Sequence, residues 1–228
     1  MFRESWRPER GFGIVEGIDR ERDPGFRRPN MKKTLGAKAI IYPAPVVVIG
    51  SYDPGEEPNV MTASWVGICC SAPPCVSVAF RPERFSYENI LHRKAFTISI
   101  PSEKHAVEAD FFGMVSGRKQ RKLEIAGLHA VKAEYVDAPY VDEFPVVLEC
   151  RLKAVNPIGC HTQFLGEIVD CKADLAVLDE RGLPDMAKVR PILYAPESGV
   201  YYEMGSRIGK AYSLGKKISN PKDKPAQQ

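Results

Sequence analysis

Six cysteines and four histidines are the side chains with the widest chemical range in this 228-residue sequence. Cys69 and Cys70 are adjacent, Cys75 follows five residues later, and Cys150, Cys160 and Cys171 stand apart. None of these spacings is a CxxC or the paired knuckle of a structural zinc site, so small apolar residues carrying reduced thiols are the expectation, with no metal. His105 and Glu108 sit i, i+3 on an expected helix, but HxxE without further ligands describes a solvated helix face better than a metal site. There is no GxSxG and no cysteine with a local catalytic signature. Gly11-Phe12-Gly13 with Gly17 is not a dinucleotide loop, because the third glycine of GxGxxG would fall on Glu16 and no strand precedes it. The catalytic list drawn from side chains is therefore empty.

Binding chemistry is better represented. Thr62, Ala63 and Ser64 put small or hydroxylated side chains on an extended stretch, which lets main-chain N–H and C=O groups approach the polar edge of a flat heterocycle. Trp65 beside them could cover an aromatic ring or fill a core. Arg81 ends a strand and Ser86 lies near the N-terminal turn of the next helix, a fixed charge plus donors at a positive dipole end that could anchor a phosphate; a surface ion pair is the plainer reading of Arg81. His161 follows an expected turn, where a surface histidine is the plainer reading. The run Arg118-Lys119-Gln120-Arg121-Lys122 is either a solvated turn or a phosphate-contacting loop.

The elements that must position these groups are mostly strands. Val46 to Ser51 is a β-branched run ending at the turn Asp53-Pro54-Gly55, and Asn59 to Val66 restarts an extended pattern. Cys75 to Phe80 alternates into a third strand closed by Arg81-Pro82, a helix is expected over Glu83 to His92, and Ala95 to Ile100 is a strand ended by Pro101. Ser102 and Glu103 open a second helix with Val107, Phe111, Phe112 and Met114 as its apolar stripe and Gly113 and Gly117 marking its end. Pro145 to Val155 and Thr162 to Cys171 are two long strands joined through a turn at Asn156-Pro157-Ile158-Gly159. Short strands with Pro/Gly turns favour a mainly β (α+β) closed or split barrel over a doubly wound parallel sheet.

The first 30 residues differ in composition: seven Arg, no Lys, and repeated Gly and Pro. They read as a disordered tail or as sequence upstream of a start at Met31, leaving a domain over 31–217 and a flexible tail over 218–228. With 32 basic and 29 acidic residues the net charge is only +3, which gives no field pointing to nucleic acid, and no apolar run is long enough for a membrane span or secretory signal. The cytoplasm is the expected compartment.

Taken in order, Asn59-Val60-Met61-Thr62-Ala63-Ser64-Trp65, Ser71-Ala72-Pro73-Pro74, Val76-Ser77-Val78-Ala79-Phe80-Arg81 and Ser86-Tyr87-Glu88-Asn89-Ile90 resemble the flavin reductase-like family of FMN-binding split barrels, flavoredoxin type. The resemblance continues through Phe96 to Pro101, Gly159 to Ile168 and Ile208 to Ser213, covering nearly all of residues 35–217. It implies a split β-barrel with inserted and C-terminal helices that binds FMN as a homodimer. Thr62, Ala63, Ser64 and Trp65, with Ser71, would line the ring and ribityl side, and Arg81, Ser86 and Tyr87 the phosphate. His161 would face the flavin or nicotinamide, and Lys210 would lie in a tail over the partner's flavin. NADH or NADPH is the implied donor, with a flavin, metal complex or protein as acceptor; an electron carrier between proteins and a non-catalytic ligand-binding barrel are the alternatives. Two positions depart from the family pattern: Cys70 where a polar residue is expected and Ala72 where an acidic one is.

Overall fold

The computed structural model describes residues 32–218. The chain divides into two compact units, Met1–Lys38 and Ala39–Gln228, and every strand and helix among the described residues belongs to the second. The expectations placed on residues 1–31 and 219–228 lie outside the described residues.

In chain order the strands are β1 (Ala44–Pro45), β2 (Val47–Tyr52), β3 (Pro58–Ala63), β4 (Val66–Ser71), β5 (Pro74–Phe80), β6 (Ala95–Ile100), β7 (Ala130–Lys132), β8 (Pro139–Val141), β9 (Val146–Ile158), β10 (His161–Ala173), β11 (Leu193–Ala195) and β12 (Val200–Tyr202). The helices are α1 (Phe85–Arg93), α2 (Ala106–Met114), α3 (Lys122–Ala126) and α4 (Met186–Val189). Seven strands form one antiparallel sheet in the order β3-β2-β6-β9-β10-β5-β4; β1-β11-β12 and β7-β8 form smaller sheets.

That order forces the large sheet to curl. Laid flat at about 4.8 Å per strand, its edge strands β3 and β4 would be roughly 29 Å apart. Yet Ser64 and Trp65 alone connect them, a link of about 11 Å at full extension. The two edges therefore approach each other, and the Ala79 amide donates to the Trp65 carbonyl at 2.9 Å, which extends the β4–β5 ladder into the link. The result is an antiparallel barrel left open along a seam, the split barrel expected from the sequence.

Alternation along the strands serves two cores. Val47 and Ile49 of β2 face the barrel interior with Met61, Val78, Phe96, Ile98, Cys150 and Phe164, whereas Val46 and Val48 face outward onto Ala109, Phe112, Leu123 and Phe144. This explains why β2 is buried along nearly its whole length and why its sequence reads as a continuous apolar run. Glu149 is fully buried on β9, where its carboxylate accepts the Glu134 and Tyr135 amides at 3.1 and 2.7 Å and pairs with Lys172 at 2.9 Å.

Four expectations need correction. The strand expected over Asn59 to Val66 ends at Ala63, and the chain turns into a separate strand, β4, because the link must cross the seam. On α2 the buried residues are Ala109 and Phe112, while Val107 and Met114 are exposed. A tighter 3-10 turn at Glu103–His105 precedes α2 and shifts the phase of its faces relative to a helix begun at Ser102. The β9–β10 turn consists of Gly159 and Cys160, with Asn156, Pro157 and Ile158 still paired in β9. Gly159, at φ 53°, supplies the left-handed first position that a two-residue hairpin favours. The basic run does not form a solvated turn throughout, since Lys122 is buried and starts α3.

Candidate functional site

The seam opens into a cleft with two lobes. One lobe, of about 210 Å³, is lined by Met61, Thr62, Ala63, Ser64 and Trp65 together with Ala79, Phe80, His161 and Tyr194. The other, of about 350 Å³, is lined by Asn59, Glu83, Phe85, Ser86, Lys122 and the segment Met114 to Gly117. Met61, Arg81 and Arg84 line both lobes, so the two adjoin along these side chains.

The smaller lobe follows from β3 being an edge strand. Its inner neighbour is β2, which leaves the outer row of N–H and C=O groups without a ladder partner, and at Met61 to Trp65 that stretch borders the cleft. Small side chains at Ala63 and Ser64 leave this backbone approachable. The Thr62 hydroxyl donates to the Ala109 carbonyl of α2, so it fixes helix to strand. Trp65 is 39% exposed and covers the lobe from the link between strands. His161 opens β10 at the rim, its Nδ1 3.1 Å from Cys160 Sγ. Tyr194 reaches the lobe from β11 and packs, its ring tilted by 45°, at 5.4 Å against Tyr201, whose hydroxyl donates to Asp110 Oδ1 at 2.9 Å.

The larger lobe is the electropositive one: Arg81, Arg84 and Lys122 stand against Glu83. It lies at the N-terminus of α1, where Arg84 occupies the capping position and makes no side-chain cap. The Tyr87 amide donates to the Arg84 carbonyl at 3.0 Å, whereas the Phe85 and Ser86 amides have no acceptor within the helix and carry the positive end of its dipole. Ser86 is buried and its Oγ accepts from Asn59 Nδ2 at 2.8 Å, whereas Asn59 Oδ1 is buried without a hydrogen-bond partner. Arg84 Nη1 donates to the Gly113 carbonyl at 2.9 Å, which holds the guanidinium at the junction of the lobes. Lys122 Nζ donates to the Phe112 and Val115 carbonyls at 3.1 and 3.2 Å, closing the C-terminal end of α2. Burial first, then the nearby Arg84, lowers the Lys122 ammonium to a pKa of about 8.

Seven of the ten residues singled out from sequence thus share one cleft: Thr62, Ala63, Ser64, Trp65, Arg81, Ser86 and His161. Three lie elsewhere. Ser71 is exposed where β4 meets Pro74 at the hairpin tip, and Lys210 is exposed on a stretch without regular structure. Tyr87 packs edge-on against Phe80 and Phe164 at 6.3 and 5.2 Å, beside the barrel core. Sequence reasoning misses Arg84, Asn59 and Tyr194 as cleft residues, whereas it names Lys122 as part of the basic run read as either a solvated turn or a phosphate-contacting loop. Arg84 carries a signal, an arginine just ahead of an expected helix turn, but Tyr194 has none, because its approach depends on a sheet formed with Ala44–Pro45. Of the basic run, Arg118 lies 5.1 Å over the Phe85 ring and donates to the Glu83 carbonyl, and Arg121 pairs with Glu57 and Glu124. His105 contacts Glu108 at 3.7 Å, and among the described residues no cluster of His, Cys, Asp or Glu could hold a metal.

Among solved structures, the chain is similar to the flavoredoxin of Desulfovibrio vulgaris (Miyazaki F), with 47% identity, 82% of this chain and 100% of that one covered, and a TM-score of 0.78. It is also similar to a flavoredoxin from Methanosarcina acetivorans, with 26% identity, 84% and 100% coverage and a TM-score of 0.76. An uncharacterised protein of Aeropyrum pernix is 32% identical over 157 residues, 68% of this chain; the match spans 58% of that relative's length. No helix among the described residues is long and apolar enough to cross a membrane. The flavin reductase like domain matches residues 39–201, which takes in both lobes of the cleft, and the chain belongs to that family.

Proposed function

We propose that this protein is an FMN-binding oxidoreductase that accepts electrons from NADH or NADPH and passes them to a flavin, metal complex or protein acceptor. The observation that carries the reading is the two-lobed cleft along the barrel seam, polar backbone at one end and paired arginines at a helix N-terminus at the other. The residues present fit such a group. The orphaned Asn59 Oδ1 would accept from a ribityl hydroxyl, the open edge of β3 would face the ring, and Arg81, Arg84 and the first turn of α1 would hold the phosphate. Bound there, FMN supplies hydride and single-electron chemistry that the side chains do not. Trp65, His161 and Tyr194 line the smaller lobe, where they would flank the ring and position it for a planar donor. Ser71 and Lys210 do not line this cleft, and a homodimer that brings them to a partner's cleft belongs to the proposal, as does the cytoplasm.

The 47% likeness to a flavoredoxin favours a second reading, an FMN carrier between protein partners. One experiment separates them: the visible spectrum of the purified protein before and after anaerobic addition of NADH or NADPH. Rapid bleaching supports the reductase, and a yellow protein that does not bleach supports the carrier. A colourless protein that cannot be reconstituted with FMN rejects both in favour of a barrel that binds another ligand.

A further inference from the structure

All six cysteines are free thiols, and three of them converge on the β4–β5 hairpin. Cys70 lies directly opposite Cys75, one pair in from Ser71 and Pro74, which flank the turn. The register slips between Ile68 and Cys70, so Cys69 is the extra residue of a bulge and sits beside that pair. Directly opposed residues of antiparallel strands share a sheet face with Cα atoms about 4.5–5.5 Å apart. That lies within the roughly 4.4–6.8 Å that a disulfide spans. β4 is an edge strand, which leaves Cys70 exposed, while Cys75 is partly covered. Burial, then the adjacent Cys70 and Cys69, raises the Cys75 thiol, and of the opposed pair Cys70 is the one exposed to an incoming oxidant.

We propose that Cys70 and Cys75 form a redox dithiol, oxidised by a low-molecular-weight disulfide to an intrachain bond across the hairpin. The Cys70 thiolate attacks one sulfur of the oxidant, forming a mixed disulfide and releasing one small thiol. The Cys75 thiolate then attacks Cys70 Sγ, forming the protein disulfide and releasing the second. Two protein thiols lose two protons and two electrons, and the oxidant gains both. In a reducing compartment the pair rests as thiols and closes when the disulfide pool rises. The dithiol sits at the tip of the hairpin, while Trp65, Ala79 and Phe80 at its open end line the cleft. Oxidation can therefore be read without reference to any cofactor.

The full-length chain is incubated with glutathione disulfide and analysed by intact mass, alkylation and fragment mapping. The expected result is a loss of two hydrogen masses, two of the six thiols protected from alkylation, and a Cys70–Cys75 link. Cys75→Ser should instead accumulate a glutathione adduct on Cys70, and Cys69→Ser should close the bond as the parent does. A glutathione adduct that persists on Cys70 in the parent chain overturns the proposal. So does a Cys69–Cys75 bond or a disulfide-linked pair of chains. None of these readouts depends on flavin, so this inference and the proposed function fail independently.

Discussion

Arg81 and Arg84 form the wall common to both lobes of the cleft, and their worth to a ligand depends on what that ligand carries. A charge-assisted hydrogen bond contributes about 1.5–3 kcal/mol, reduced here by solvent. Arg81→Ala or Arg84→Ala should each weaken FMN binding about tenfold or somewhat more. Riboflavin, which lacks the phosphate, should bind the variants and the parent alike; fluorescence titration of the two flavins checks this. Lys122 makes a different prediction. Its folded pKa is lowered to about 8 from 10.5, so between these values the unfolded chain holds a proton that the folded chain has released. Unfolding free energy therefore rises with pH across this window, by an amount on the order of 3 kcal/mol for this one group. Buried Cys150 and the hydrogen-bonded Tyr201 are shifted upward and act in the opposite sense, so the difference between the parent and Lys122→Met is the quantity to measure. Urea unfolding at pH 7.5 and 10, about the ends of the window, should show the parent gaining stability relative to Lys122→Met as pH rises.

At the scale of elements, the cleft depends on how closely α2 and the segment after it approach β3. Gly113 of α2 faces Thr62, and a Cβ there would meet the Thr62 Cβ at 3.4 Å. At Gly117 a Cβ would fall 2.0 Å from Asn59 Oδ1 and 3.0 Å from Phe85 Cδ1. Asn59 cannot readily give way, because its Nδ2 is held by Ser86. Gly117→Ala should destabilise the protein by about 1–3 kcal/mol and weaken FMN binding, since it displaces the wall of the larger lobe. Gly113→Ala should be near neutral, the tight contact offset by up to about 1 kcal/mol of helix propensity. Chemical denaturation of both variants tests the contrast; equal losses would show that the approach at Gly117 is not special.

For the whole molecule, electrostatics are local. The net charge of +3 gives little long-range field, and of the basic run that could have supplied one, Arg118 is tied to Phe85 and Glu83, Arg121 to Glu57 and Glu124, and Lys122 is buried, which leaves Lys119 exposed. Recognition of an anionic ligand then falls to Arg81, Arg84 and the α1 terminus. Raising ionic strength from about 0.01 to 0.15 M should change the FMN dissociation constant by less than about tenfold, because partly enclosed charges are poorly screened. A loss well beyond tenfold would return the basic run to a steering role.

Much of this molecule was legible in the order of its residues. Alternation and β-branching placed β2, β5, β6 and the two long strands, and small residues at Thr62 to Ser64 with Arg81 and Ser86 marked five of the cleft's residues, because strand periodicity and helix-end chemistry are local properties. The break after Ala63, the face that α2 buries, the burial of Lys122 and the arrival of Tyr194 depended on which distant segments met. Only the folded chain brings β3 and β4 together at a seam, since the closure of a seven-stranded sheet is set by long-range pairing that no local window contains.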